Sequence, residues 1–598
     1  MALALLQFVC FQAALFAAAT ALVGRRPAAL LLVLAVELTL ESSLAALFSF
    51  THANSPVAYW IAALVCAVAA AASGRLRLPT IKVAPLVAAL LAPLALLAFH
   101  PVDEIDSINY LHYLIEWMAN RATPYDFATY YVAFWELSFL PTWVVTKLDV
   151  FFPLLALKAL AIFALAAWYL GRELRLKGAL LTATVFGACV LPHLWNNPSG
   201  VATLKNDTLH GAGFLLLTLV AVRAARRRLA PSDFLLLTAG IVFAPVKYLG
   251  IFFVPVALAV VLWYRWRQFR WPAVLGASLT FLVTTCHYYV HHLVKWGSPF
   301  YPVQINLGPI HLPGTADLSN TSILYNIRNP EVWRIFFLPE GGVSPGGLMF
   351  PLVLALTLIL CVALLFRRSH RVLALLLLAG WLLYFRSALG AGGAPGDLHF
   401  IRNGLNTLRY AEGVLAASEL LLAALFVRIA PALVGANAAS RLYLLYRQIP
   451  AQLFPLPVVI AVAAGMLLLL LAIRRPKLRA PVCLLALLLG CPLLVERNRV
   501  LWTPYWNDMK PALAAVRDQG LTVLALPDGG YFAGHIVAAG NPVNPAVRCL
   551  LPEDLDSPRY LAILFSPGSE GAATWRKSYP GYTPIKEGQY GQLLKRTR

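Results

Sequence analysis

The sequence predicts an all-α polytopic membrane protein with a small α/β region at its C-terminal end. Three observations predict it. Hydrophobic residues make up 60% of the 598 and charged residues only 13%, with a mean hydropathy of +0.72. Burial grows too slowly with size for a soluble fold to hide that much apolar surface. Apolar runs near the ~20 residues needed to span a bilayer recur along most of the chain. Between them, short basic clusters appear at every second boundary.

In order, spans are expected near 2–23, 28–50, 56–73, 81–98, 150–170, 178–194, 207–224, 233–247, 249–264, 272–292, 347–366 and 371–388. Further candidates lie at 412–430, 453–473 and 480–495, with an amphipathic stretch, "SRLYLLYRQIP", between the first two. The start "MALALLQFVCFQAALFAAATALVGRR" lacks the basic lead and small-residue cleavage site of a removed signal, and reads as the first span. Arg25-Arg26, Arg75/Arg77/Lys82, Arg172/Arg175/Lys177, Arg223/Arg226–Arg228, Arg265/Arg267/Arg270 and Arg367/Arg368/Arg371 can all be cytoplasmic at once. That places loops 99–149 and 293–346 outside. It also explains the net charge of +21 as a membrane-orientation signal, and excludes nucleic acid as the reason for it.

The eight cysteines are scattered through apolar runs without a CxxC pair, and read as buried small hydrophobes. From about Glu496 the character changes. "MKPALAAVRDQG" reads as a helix, "LTVLALP" and "RYLAILFSP" as strands, "GAATWRKSYPG" as a helix and "YTPIKEGQYGQLLKR" as a closing strand pair. The chain therefore divides into a transmembrane region, 1–495, and a small soluble α/β region, 496–598, on the outer side.

The polar groups that carry chemistry collect on the outer face. "HPVDEIDSINYLHYLIEWMANR" puts Asp103, Glu104 and Asp106 directly after a span. After them Ile108, Leu111, Ile115 and Met118 form an apolar face, with Asn109, Glu116 and Asn120 off it: a helix lying along the membrane surface. "GVATLKNDTLHG" supplies Lys205, Asn206, Asp207 and His210, "APVKYLGIFF" supplies Lys247, and the last outer loop supplies Arg402 and Arg409-Tyr410. "CHYYVHHLVKWGSPFYP" adds His287, His291, His292 and Lys295. Each alone is a snorkelling lysine, an interfacial histidine or a helix-end arginine. Together on one face they predict a shared polar cavity, suited to a carboxylate base with cations for phosphate.

The motifs "DEIDSINYLHYL", "TLKNDTLHGAGFLLL", "KYLGIFFVP", "WGSPFYPVQINLG" and an Arg-Tyr pair leading into a late span occur in this order over about residues 95–430. In that set the chain resembles bacterial integral-membrane glycosyltransferases of the GT-C superfamily, the group that includes lipid A aminoarabinose transferases and protein O-mannosyltransferases. It departs from them in two ways. Many relatives have Asp-x-x-x-Tyr-His, whereas here Leu111 separates Tyr110 from His112, and three spans precede the lead-in to the acidic loop.

The resemblance implies a GT-C-like bundle moving a sugar from a polyprenyl-phosphate carrier to a lipid, glycan or protein acceptor at the outer face of the bacterial inner membrane. A carboxylate takes the acceptor proton, and cations stabilise the departing phosphate. The base is one of Asp103, Glu104 and Asp106; Asp106 fits the motif spacing best, with the other two as partners. Tyr110, His112, Lys205, Asn206, Asp207, Lys247, Arg402, Arg409 and Tyr410 are the candidate substrate- and phosphate-binding residues. The carboxylates leave room for a divalent metal, which no ligand spacing demands. Glu37 and Glu41, four apart on one face of the second span, keep a lipid-linked glycan flippase or other transporter in view. Packing against another helix's polar group is the favoured explanation of the pair. A surface-polysaccharide polymerase or ligase is the third reading. A transporter more often shows paired repeats and broken helices, and neither is visible here.

Overall fold

The computed structural model describes residues 2–24, 29–75, 151–194, 204–269, 271–301 and 408–448, most of 110–147 and 303–387, and short pieces of 521–597. Its helices follow the apolar runs. They are α1 (Ala2–Val23), α2 (Ala29–Phe50), α3 (Pro56–Ala72), α4 (Phe134–Leu137), α5 (Leu140–Thr146), α6 (Phe152–Glu173) and α7 (Gly178–Cys189). Next come α8 (Asp207–Arg226), α9 (Pro231–Phe243), α10 (Tyr248–Arg265), α11 (Trp271–Phe281) and α12 (His287–Trp296), the last two joined by a π-helical turn, Leu282–Cys286. The series ends with α13 (Pro330–Phe337), α14 (Phe350–Leu364), α15 (Arg371–Arg386), α16 (Glu412–Leu425) and α17 (Ala430–Gln448). The expected spans at 81–98, 453–473 and 480–495 lie outside the described residues.

Among the described residues, α1, α2, α6, α8 and α10 are long and apolar enough to cross a membrane, and α3, α7, α9 and α14 are shorter apolar helices. Val57, Ile61 and Leu64 on α3, Trp263 on α10, and Ile359 and Val362 on α14 remain exposed. Such surface would aggregate in water, and faces lipid in a bilayer. The hub is α8, with 94% of its apolar window buried, packed on α6, α9, α10, α15 and α16.

The two ends of the bundle differ sharply. At one end Arg223 pairs with Glu173 and Asp233, each at 2.7 Å, and Arg227 pairs with Asp233 at 2.9 Å. Arg265 Nε donates to Arg227 O at 3.0 Å. Burial and the charges of Arg226, Arg367 and Arg175 hold the His370 imidazole below its ordinary value. Four of the six basic clusters therefore meet at one end, as the alternation required. A cavity of about 320 Å³, lined partly by Arg226 and Arg368, also lies there. The opposite end carries the starts of α8, α10 and α16.

Several expectations need correction. Glu116, expected on the polar face of a surface helix, does not face water. Tyr110, Leu114, Trp117 and Met118 are buried, and so is Glu116, which forms a 2.8 Å pair with Arg121. The reason is the loop between α2 and α3: Asn54 Nδ2 donates to Trp117 O at 2.8 Å, and Asn54 N to Asn120 Oδ1 at 3.1 Å. The extra N-terminal helices thus cover a surface that periodicity alone leaves wet. The 293–346 loop holds a small sheet, β1 (Val303–Leu307), β2 (Ile310–Leu312) and β3 (Ala316–Asp317), in the order β2-β1-β3.

Most of "SRLYLLYRQIP" belongs to α17, packed on α7. Its Arg441 is fully buried, bonded to Glu419 at 2.5 Å and to Gly187 O at 2.6 Å. Near the C-terminus the expected strands appear as β4 (Leu521–Leu524), β6 (Tyr560–Ile563) and the hairpin β7 (Tyr582–Glu587) and β8 (Gln592–Arg596). An unexpected β5 (Arg548–Leu550) completes a five-stranded sheet in the order β5-β4-β6-β8-β7. The helix expected at "MKPALAAVRDQG" lies outside the described residues.

Candidate active site

Three helix N-termini converge at the end of the bundle opposite the basic loops. Glycine makes the convergence possible. A Cβ on Gly413 would stand 2.5 Å from Gly211 O, and one on Gly211 would stand 3.2 Å from Gly413 N. With hydrogen at both positions, the first turns of α8 and α16 touch backbone to backbone. Gly250 likewise lies against Ala244 O, which draws the start of α10 onto the turn that ends α9. Side chains then lock the junction. Asn206 Nδ2 donates to Val246 O at 2.9 Å, His210 Nδ1 to Ala244 O at 2.7 Å, and Trp135 Nε1 on α4 to Leu204 O at 2.9 Å.

The charged residues at this junction come from distant parts of the chain. Lys247 Nζ is 3.2 Å from Asp207 Oδ1. It also lies 5.2 Å from the centre of the Tyr410 ring, and the Arg409 guanidinium lies 4.8 Å from the same ring. Arg409 Nη2 donates to Tyr410 Oη at 2.6 Å. Lys205, Lys247 and Arg409 all act electrostatically on Asp207, which is itself fully buried. The three predicted cations thus gather around one carboxylate. Helix N-termini carry partial positive charge, so their dipoles reinforce those cations in favouring an anion.

The remaining predicted residues divide into three groups. Asn206 is buried and spends its amide on the backbone, so it shapes the junction. Tyr110 is fully buried within the first-loop packing. Asp103, Glu104, Asp106, His112 and Arg402 lie outside the described residues. On α12, His292 Nδ1 donates to Tyr301 O at 2.8 Å and Lys295 Nζ to Asp126 O at 3.3 Å; these ties hold loops in place. Among the described residues no group of three or more His, Cys, Asp or Glu is set to hold a metal.

Two carboxylates that sequence reasoning missed belong to the junction. Glu136 on α4 is 1% exposed, and neither of its oxygens has a hydrogen-bond partner. Burial pushes its carboxyl up to about 8, against the charge of Lys247. Glu412, the first residue of α16, is also 1% exposed with both oxygens unpartnered, and Asp207, Arg409 and Lys247 act on it. A signal existed for each: a lone carboxylate inside "VAFWELSFL", and an acid two residues after Arg-Tyr.

Glu37 and Glu41 are placed elsewhere, inside the bundle. Lys158 on α6 meets them at 3.0 and 2.8 Å, and Gln12 Nε2 donates to Glu41 at 2.8 Å. Packing against another helix's polar group explains them.

No family model and no curated protein matches this chain. Among the solved structures that resemble it are two of one protein. Both are ArnT from Cupriavidus metallidurans, one bound to undecaprenyl phosphate and one in the apo state. Each alignment covers 85% of this chain and 96% of the other, at 14% identity and a TM-score of 0.40 for the bound form, and 15% and 0.39 for the apo form. At that degree of likeness the site has to be read from this chain's own residues. What those residues can do is hold an anion beside buried acids, at the membrane end away from the basic loops.

Proposed function

We propose that this chain is a GT-C-type glycosyltransferase of the bacterial inner membrane. It moves a hexosyl or pentosyl group from a polyprenyl-phosphate donor to a lipid, glycan or protein acceptor on the periplasmic side. The observation that carries this reading is the gathering of Lys205, Lys247 and Arg409 around Asp207 at converging helix N-termini. A lipid phosphate leaving the anomeric carbon develops negative charge, and fixed cations in a water-poor site stabilise it most. The gathering lies at the end opposite the basic loops, which the positive-inside rule assigns to the cytoplasm.

Asp106 of the acidic first loop is the base that takes the acceptor proton, with Asp103 and Glu104 beside it. The α/β region at 496–598 stands on the same side as the site. The transporter reading loses its main support once Lys158 accounts for Glu37 and Glu41.

The test is transfer from radiolabelled polyprenyl-phosphate sugars in membranes containing the wild type or single neutral variants. Asp106→Asn keeps the shape and removes the proton acceptor, so transfer should collapse while expression survives. Loss in Asp103→Asn or Glu104→Gln with a working Asp106→Asn moves the base within the loop. Normal transfer in all three refutes the mechanism. The same assay with EDTA tests whether these carboxylates share a divalent cation.

A further inference from the structure

Glu412 is placed where a carboxylate is hardest to keep. It is 1% exposed, neither oxygen accepts a hydrogen bond, and the charges acting on it are Asp207 on α8, Arg409 in the preceding turn and Lys247 at the start of α10. The backbone contact between Gly211 and Gly413, the residue after it, holds the first turn of α16 against the first turn of α8. Around this set stand Lys205, which acts on Asp207, His210, which feels Asp207 and Lys247, and Glu136, which feels Lys247. An ionised Glu412 and an incoming phosphate therefore want the same two cations. Asp207 is the carboxylate already committed to Lys247, at 3.2 Å.

We infer that Glu412 is the proton-bearing positioning residue of this anion site, carrying a proton whenever an anionic phosphodiester is bound. With the proton on, Glu412 makes no claim on Arg409 and Lys247, and the phosphodiester adds its charge beside Asp207. With the proton lost to solvent, Glu412 competes for both cations and the phosphodiester is displaced. The one bond that changes is the Glu412 O–H: its proton passes to solvent water and returns from it. The inference rests on the lipid-phosphate reading above, because it assumes that an anion of this class enters the junction.

The experiment measures binding of a non-transferable polyprenyl phosphodiester to the full chain in nanodiscs from pH 6 to 9. The probe keeps a single negative charge throughout. Glu136, pushed up to about 8, can itself change charge between pH 6 and 9, so the comparison is made between Glu136→Gln and Glu136→Gln/Glu412→Gln, with thermal unfolding confirming that both are folded. In Glu136→Gln, affinity should fall as pH rises, approaching tenfold per unit for one linked proton. In the double variant it should be flat. Glu412→Asp in the same background should restore a slope, which a merely structural role would not do. A slope that survives in the double variant, or is already absent in Glu136→Gln, overturns the assignment. Absence of binding by the wild type at every pH refutes the lipid-phosphate reading instead.

Discussion

Replacing Gly413 with alanine tests whether the helix junction sets the site. The added Cβ would stand 2.5 Å from Gly211 O, whereas carbon and carbonyl oxygen settle at about 3.3 Å or more. The obstacle is backbone on a buried helix, so α8 and α16 must separate by roughly 1 Å. Overpacking of this kind costs about 1–3 kcal/mol, and the upper part of that range applies because no flexible side chain can yield. Better helix propensity returns up to about 1 kcal/mol, leaving a net loss of about 1–2 kcal/mol. Thermal unfolding followed by a thiol-reactive dye reads this directly, because Cys189 and Cys361 are buried and become reactive on opening. Gly276→Ala is the control, since nothing lies within 4 Å of its added Cβ, and its melting temperature should hold or rise. The separation also moves Glu412 and Arg409 relative to Asp207. A displacement of about 1 Å costs on the order of 100-fold in a positioned reaction, so donor transfer should fall far more than stability. If Gly413→Ala melts and transfers like the wild type, close approach of these two helices does not position the site.

Two further outcomes follow from the buried charges. Lys158→Met leaves Glu37 and Glu41 without their cation, and uncompensated buried charge of this kind costs about 3–5 kcal/mol. Folded yield on size exclusion should drop, and the added changes Glu37→Gln and Glu41→Gln should recover much of it; undiminished yield for Lys158→Met alone would show that the cluster is not structural. Glu136 tests the pH dependence of stability. Its carboxyl rises from 4.5 to about 8 on folding, so between those values the native state holds a proton that the unfolded state has lost. Stability should therefore fall as pH rises through that window, by up to about 1.4 kcal/mol per pH unit, and level off above it. Thermal unfolding across pH should show this decline in the wild type and a shallower one in Glu136→Gln; equal slopes would mean that Glu136 does not carry the proton.

Local pattern in the sequence determined the helices and their sidedness. Apolar runs located α1–α3, α6–α12 and α14–α16, and the alternation of Arg and Lys clusters predicted which loops share an end. It also predicted that Lys205, Lys247 and Arg409 belong together, because each stands at a span end away from the basic clusters. These properties are carried by consecutive residues, since a bilayer imposes the same hydrophobic length and the same charge asymmetry on every crossing.

What only the tertiary structure decided is which charge meets which. Lys158 meets Glu41, 117 residues away, only because α6 is set against α2. Arg441 meets Glu419 only because α17 packs on α7 and buries it there. Glu136 and Glu412 carried no periodic signature of function, and became members of the site through the Trp135–Leu204 bond and the Gly211–Gly413 contact. Partner choice depends on how each helix is rotated about its axis and how closely its backbone approaches its neighbours. Both are set by packing between segments far apart in sequence, so a periodicity that is identical for lipid-facing and protein-facing turns cannot encode them.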